Sequence, residues 1–161
     1  MRIIPYIFYL FLLALHLILI KDITTIYGAA IDLTALMITL VALYKSETAT
    51  LWFAFCAGII AGSIRLDLMP WEMLSLVIPA LAVNQIGTRI NLESVTSRLT
   101  LMAGFLLIHQ SIVMLVISSS DFPTLIYKAI LPGAIYTLII GGIIFQTIDG
   151  RITWKRIKTL F

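Results

Sequence analysis

Charged residues are scarce in this sequence. Asp, Glu, Lys and Arg make up only 12% of its 161 residues, whereas 61% are hydrophobic. A soluble domain typically carries about 25% charged residues, because its surface has to face water. The shortage of charge argues against an ordinary water-soluble fold and indicates a chain whose surface faces lipid.

Cysteine and the usual catalytic groupings are also lacking. The single cysteine, Cys56, cannot form an internal disulfide, and we interpret it as a small buried hydrophobic residue. The sequence has no paired acids, histidine cluster or nucleophile beside a base, which argues against a small membrane enzyme. His16 and His109 each lack a second ligand at metal-binding spacing. We therefore predict no catalytic residues, no metal site and no cofactor.

What the sequence does contain is a series of long apolar segments. Crossing a bilayer takes roughly 20 mostly apolar residues, and such runs form helices because lipid offers no hydrogen bonds to the backbone. We predict an all-α, polytopic membrane protein with a six-transmembrane-helix domain over residues 1–149 and a basic cytoplasmic tail over 150–161. The six predicted spans are Ile3–Ile20, Gly28–Tyr44, Thr48–Ile64, Trp71–Ile86, Leu99–Ile117 and Leu125–Phe145. The first is longer than the 7–15 apolar residues typical of a signal peptide, so we expect a retained anchor.

The basic residues between the segments predict the orientation. Cytoplasmic loops are enriched in Lys and Arg. Lys21, Arg65 and Lys128 fall on one side of the predicted bundle. The other side carries Arg2, Lys45, Arg89, Arg98, Arg151, Lys155, Arg156 and Lys158. We therefore predict that both termini are cytoplasmic in a bacterial inner membrane. The net charge of +3 is dispersed, with no basic patch interleaved with aromatic residues, which argues against nucleic-acid binding.

Asp32 is the main ionisable residue in an apolar segment. It lies about one turn inside the second predicted span, near the outer face. A carboxylate within a membrane is costly and is a functional candidate for that reason. Two interpretations stay open: a water-facing group that caps the helix start, or a group that takes part in packing or partner recognition.

Two further pairs are candidates for helix packing or partner binding. Arg65 and Asp67 flank the short turn between spans three and four, either as a local ion pair or as an exposed docking surface. Gly58 and Gly62 form a GxxxG pattern, which lets another helix approach closely. That helix belongs either to this bundle or to a partner.

The remaining candidates are polar groups in the spans and the basic tail. We expect Asn84, Gln85, His109 and Gln110, as well as His16, to make hydrogen bonds between helices. In the tail, Trp154 lies on one helical face with Ile157 and Phe161. The neighbouring Lys155, Arg156 and Lys158 indicate contact with anionic lipids, or an ordinary basic anchor.

The layout of the spans resembles that of the MreD family. The residues that carry the resemblance are Ile31-Asp32-Leu33, the run Leu36–Tyr44, Phe55-Cys56-Ala57-Gly58 and the turn leading into Trp71–Ile86. Gly62 stands where the family commonly has Asp, and Pro70 or Trp71 stands where a Gly usually opens span four. The resemblance is thus to a divergent member, and no role of the missing Asp is carried over.

The resemblance implies a non-enzymatic scaffold of the cell-wall elongation machinery of rod-shaped bacteria. Members of the family bind the single-span protein MreC, and they associate with MreB filaments and the RodA–transpeptidase synthase. At residue level it extends only to Asp32 and Gly58.

An alternative class is the substrate-binding S-component of a vitamin or metal-ion transporter of the energy-coupling-factor type. It is similar in size, number of spans and position of the termini. Such a protein should have an outward-facing cavity lined by polar groups, and an Ala-x-x-x-Ala pattern in span one. Only Ala14 of that pattern is present here, which argues against this class.

Overall fold

The computed structural model describes residues 4–20, 31–90, 92, 94–118 and 120–150, and the regular structure in them is entirely helical. Helix α1 covers Ile4–Leu15 and continues as a π-helical turn, His16–Ile20. It is followed by α2 (Leu33–Tyr44), α3 (Glu47–Gly62), α4 (Met69–Arg89) and α5 (Val95–Ile117). The last helix, α6, covers Phe122–Ile148 and contains a π-helical segment at Ile126–Ile130. The predicted all-α class is confirmed. The tail residues Trp154, Lys155, Arg156 and Lys158 lie outside the described residues.

The helix starts follow from local sequence. Asp32 precedes α2, and its side chain accepts a hydrogen bond from the backbone N–H of Ala35. Ser94 caps α5 in the same way through Thr96. Pro70 lies in the first turn of α4, where its missing N–H costs nothing because the first N–H groups of a helix have no partner inside it.

Helices α3 and α4 approach each other closely at two glycines. A Cβ atom added to Gly58 would lie 2.9 Å from Cα of Met73, and one added to Gly62 would lie 2.7 Å from Cα of Met69. The two glycines of the GxxxG pattern therefore lie in a contact within the chain. The core between the helices is filled by buried large side chains, among them Leu36, Ile38, Phe53, Leu76, Met102, Phe105, Leu106 and Phe145.

A polar cluster joins three helices at one end of the bundle. Arg98 on α5 binds Asp149 after α6, with Nη1 2.6 Å from Oδ1, and the two side chains are 14% and 18% exposed. The same Nη1 donates to the hydroxyl of Tyr44, the last residue of α2, at 3.0 Å. Nε of Arg98 donates to the carbonyl of Leu92 at 2.8 Å. The sequence marked Arg98 only as a topological charge, whereas the structure gives it a structural role.

Two of the six helices, α5 and α6, are long and apolar enough to cross a membrane by length and composition. Helices α1, α2 and α3 are apolar but shorter. Helix α4 is long, yet it carries Glu72 in its first turn and ends at Arg89. The described residues form six helices, the number predicted. Their crossing of a membrane and the orientation of the termini stay predictions.

Candidate functional site

A pocket of about 340 Å³, lined by apolar side chains and several polar ones, lies at the other end of the bundle from Arg98. It is formed where α2 begins, α3 ends and α4 begins, against the second half of α5, the π-helical turn after α1 and the π-helical segment of α6. Its volume falls at the lower end of the range of small-molecule sites, roughly 300–1,000 Å³. The polar side chains that line it are His16, Asp32, Thr34, Arg65, Glu72, His109 and Gln110, among apolar residues such as Val113, Met114 and Ile130.

Asp32 is held firmly at the edge of this pocket. Its Oδ1 accepts from the backbone N–H of Ala35 at 2.9 Å, and its own N–H donates to Oγ1 of Thr137 on α6 at 2.9 Å. The sequence placed Asp32 about one turn inside a helix, but the structure places it at the N-cap. The physical reason is that the Asp side chain competes for backbone N–H groups, which favours a cap over a helix interior.

His109 faces two carboxylates from the middle of α5. It is 7% exposed. Its Nε2 lies 3.6 Å from Oδ2 of Asp32 and 3.9 Å from Oε2 of Glu72. Residues of α2, α4 and α5 thus meet at one imidazole nitrogen.

Ser75 fixes the other side of the His109 ring. Its Oγ lies 2.9 Å from Nδ1 of His109 and 2.9 Å from the carbonyl oxygen of Glu72. A hydroxyl has one proton to donate, so it serves only one of these acceptors at a time. In either case, an unprotonated Nε2 of His109 would direct its lone pair at two carboxylate oxygens, which is unfavourable. We therefore assign a proton to Nε2 from this network.

Gln110 completes the group of acceptors. Its Nε2 donates to Oδ2 of Asp32 at 3.4 Å, longer than the 2.7–3.2 Å of typical N–H···O hydrogen bonds. This contact also identifies the nitrogen of the amide, because a carboxylate only accepts. The buried Oε1 of Gln110 has no hydrogen-bond partner among the described residues.

Arg65 and Asp67 form an ion pair beside the pocket. Nη2 of Arg65 lies 3.6 Å from Oδ2 of Asp67, and the side chains are 53% and 70% exposed. Only Arg65 lines the pocket. The pair is local to the turn between α3 and α4, and the docking role of these residues stays a prediction.

The other polar residues singled out from sequence lie away from the pocket. Asn84 is buried and donates from Nδ2 to the carbonyls of Ala42 and Lys45, at 2.7 and 2.9 Å. It therefore joins α4 to the end of α2. Its neighbour Gln85 is exposed. Gly58 and Gly62 belong to the contact between α3 and α4.

Two residues of the site were missed by sequence reasoning. They are Glu72, which lines the pocket, and Ser75, which contacts His109. The spacing of three residues places both on one face of α4, which was a usable signal. No sequence signal pairs that face with His109 on α5. Among the described residues, no group of three or more His, Cys, Asp or Glu side chains could hold a metal ion.

Comparison with models of protein families, with curated proteins and with solved structures finds no match to this chain. The fold and the site define an all-helical bundle with a pocket at one end. The resemblance to MreD rests on the sequence alone.

Proposed function

We propose that this chain is a multi-pass protein of the bacterial inner membrane, with six spans and cytoplasmic termini. The support is the large number of exposed apolar side chains on five of the described helices, α1 and α3 to α6, whereas α2 is largely buried. Phe11 on α1 is 61% exposed, Ile78 on α4 is 60% exposed and Ile139 on α6 is 57% exposed. Soluble monomers rarely expose contiguous apolar patches larger than a few hundred Å². Lipid accommodates such a surface without cost.

Within that membrane, the chain acts as a non-enzymatic scaffold of the cell-wall elongation machinery. Its direct partner is a single-span protein of the MreC kind. Through that partner it associates with the RodA–transpeptidase synthase and with MreB filaments. The observation that carries this proposal is how little chain lies between the helices from α2 onwards: α2 ends at Tyr44 and α3 begins at Glu47, and α5 ends at Ile117 and α6 begins at Phe122. A stable protein interface covers about 800 Å² on each partner. Connections this short leave the helix surfaces as the place for recognition.

The partner-facing surface differs from the one suggested by the GxxxG pattern. Gly58 and Gly62 are covered by Met73 and Met69 of the same chain. A partner helix would instead pack on exposed faces. One such face is the row Ile135, Ile139 and Ile143 on α6, in which each residue is more than half exposed.

A second function is favoured by the pocket. A substrate-binding subunit of a transporter needs a polar cavity at one end of its helices, and a pocket lined by Asp32, Glu72 and His109 fits that requirement. Against it stands the missing Ala-x-x-x-Ala pattern in the first span. We rank it second for that reason.

Coexpression with the products of neighbouring genes, followed by affinity purification in mild detergent, tests both functions. The scaffold predicts a stable complex with a single-span membrane protein. A complex with an ATP-hydrolysing transporter module, together with tight binding of a vitamin by this chain alone, would reject it. Ile139→Trp on α6 and Ile78→Trp on α4 form a matched pair, because both side chains are exposed. If the partner packs a single helix on one face of the bundle, one of these variants should lose partner binding and the other should keep it.

A further inference from the structure

Helix α2 is the central helix of the bundle. Seven of its twelve residues are buried, and it packs against each of the other five helices. One stripe of side chains is less covered: Leu33, Met37 and Leu40 are only half-buried. Their spacing of four and three residues places them on one face of α2. That face is therefore not fully covered by the neighbouring helices.

The five helices around α2 form a ring that is open on one side. In this ring α1 packs on α3, where the rings of Tyr6 and Phe53 have centroids 6.3 Å apart, and the order continues through α4 and α5 to α6. Among the described residues, α1 and α6 share no extended contact. At the pocket end, Leu17 after α1 and Ala129 of α6 line the same cavity, which separates the two helices there. Helix axes pack about 8–10 Å apart, so about six helices fit around a central one, and the ring has room for one more.

One flank of α6 faces this opening. The other flank meets α5, because a Cβ atom added to Gly142 would lie 3.7 Å from Cδ1 of Leu99. Ile140 and Ile144 are two residues from Gly142 in either direction, which places each about 160° away from it around the helix. Both are half-buried and pack against the core. They therefore border the opening from the side of α6.

We propose that this slot, bordered by Met37 and Leu40 on α2 and by Ile140 and Ile144 on α6, binds the single membrane-spanning helix of a partner protein. The partner's helix would complete the ring as the sixth helix around α2. The inference rests on the scaffold function proposed above, and it names the surface that carries out that function.

The area of contact favours the slot over any single outer face. A membrane-spanning helix of about 20 residues is about 30 Å long and about 12 Å wide, so its side surface is roughly 1,100 Å². In the slot it would contact three of about six neighbours, and the two partners together would bury roughly 1,100 Å², slightly above the 1,000 Å² or so expected of a specific interface. On the outer face of one helix it would bury roughly a third of that area. Because apolar burial alone gives little preference over lipid, this larger contact area decides where the helix binds.

The width of the slot favours a partner with one span. A slot one helix wide admits a helix that has no neighbours of its own, whereas each helix of a second copy of this chain packs against others. The chain's own tail, residues 151–161, carries four basic residues, and charges are costly among apolar helices. A single-span protein meets the requirement without either difficulty.

Disulfide cross-linking in membranes tests the slot directly. The chain has one natural cysteine, Cys56, so Cys56→Ser gives a background without thiols. In that background, Met37→Cys and Ile140→Cys place a thiol in the slot, and Ile78→Cys places one on the exposed face of α4 as the matched control. The probe is the single-span protein that copurifies on coexpression, with single cysteines placed along its span. Since a disulfide requires Cα atoms within about 7 Å, we expect cross-links from the two slot positions and none from Ile78→Cys.

A bulky substitution tests the same surface by blocking it. Ile140→Trp fills the slot, whereas Ile139→Trp makes the same change at the neighbouring residue, which is 57% exposed on the outer face of α6. We expect Ile140→Trp to reduce the copurified single-span protein by about tenfold, as overpacking of an interface does. Ile139→Trp and Ile78→Trp should both keep it. If Ile140→Trp does not fold, as judged by its unfolding temperature, the smaller cysteine substitutions decide.

Failure of the slot and failure of the scaffold function give different results. If a single-span protein copurifies but is lost from Ile139→Trp and kept by Ile140→Trp, the slot is wrong and the scaffold function stands. Cross-links only from Ile78→Cys have the same meaning, and so do disulfides between two copies of Ile140→Cys. If no single-span protein copurifies with the wild-type chain, both proposals are wrong.

Discussion

At the scale of single residues, polar side chains form hydrogen bonds with backbone groups at both ends of helix α2. Asp32 accepts from the N–H of Ala35 at the beginning of the helix. Asn84, from α4, donates to the carbonyls of Ala42 and Lys45 at its end. The end groups of a helix have no partners inside it, and in apolar surroundings water does not replace them. Both polar side chains therefore contribute to the stability of a short helix.

The Asn84 contact leads to a stability prediction. Asn84→Leu removes the side-chain donor from the buried carbonyl oxygen of Ala42, and an unsatisfied buried group costs about 1–3 kcal/mol. We expect the free energy of unfolding in detergent to fall by that amount, measured by thermal or chemical denaturation. The control is Gln85→Leu, at an exposed neighbouring position, which should change little. Equal effects of the two substitutions would show that the amide of Asn84 is dispensable.

Residue-scale predictions from sequence succeed where the partner is local. The cap by Asp32 depends on a residue three positions away, and capping was one of the two interpretations that the sequence left open. The contacts of His109 with Ser75 and of Asn84 with Ala42 span 34 and 42 positions. Hydrogen bonding between helices was predicted for both residues, but their partners depend on how the helices pack.

At the scale of elements, the pair α3 and α4 depends on two glycines spaced four residues apart. Both lie where the backbone of α4 passes, and the nearest atoms of the facing residues are Cα atoms. Backbone atoms cannot move aside as the end of a flexible side chain can. The pattern therefore sets the distance between these helices.

Gly62→Ala tests this contact. The added Cβ would lie 2.7 Å from Cα of Met69, so the helices must shift, and overpacking of this kind typically costs about 1–3 kcal/mol. Gly104→Ala is the matched control, because Gly104 lies inside α5 with nothing within 4 Å of an added Cβ. Because Ala loses less backbone entropy than Gly on folding, that variant should be stabilised by roughly 0.5–1 kcal/mol. Opposite signs of the two changes in unfolding free energy are expected, and a stabilised Gly62→Ala would contradict the close contact.

The predicted ends of the elements differ from the observed ones for a physical reason. The fourth span was predicted at Trp71–Ile86, whereas α4 covers Met69–Arg89. The last was predicted at Leu125–Phe145, whereas α6 covers Phe122–Ile148. An apolar run ends where polar residues begin, but a helix continues as long as its backbone hydrogen bonds do. Composition therefore finds the segments but not their ends: it underestimates α4 and α6, and it begins the second span at Gly28 whereas α2 begins at Leu33.

At the scale of the whole molecule, polar groups collect at the two ends of the bundle. One end has the pocket with Asp32, Glu72 and His109. The other has the ion pair of Arg98 with Asp149 and the contact of Asn84 with Lys45. The middle is filled by apolar side chains such as Phe105 and Leu106. This is the distribution expected of a bundle that crosses an apolar layer, although the sequence could not foresee that the polar groups at one end form a pocket.

The two polar ends should lie on opposite sides of the membrane, which reporter fusions test. Asn84 brings Lys45 to the end of α4 at which Gly87 lies, so fusions at both positions should report the same side. Asp67 follows α3 beside the pocket and Asp121 precedes α6, so both should report the other side. The bias of Lys and Arg predicts that Lys45 and Gly87 are cytoplasmic and that Asp67 and Asp121 are outside. Each fusion ends the chain at its own position, so the four readings are independent counts of the helices already crossed. Fusions at Lys45 and Asp67 that report the same side would mean that α3 does not cross the membrane, and the six-span topology would then be wrong.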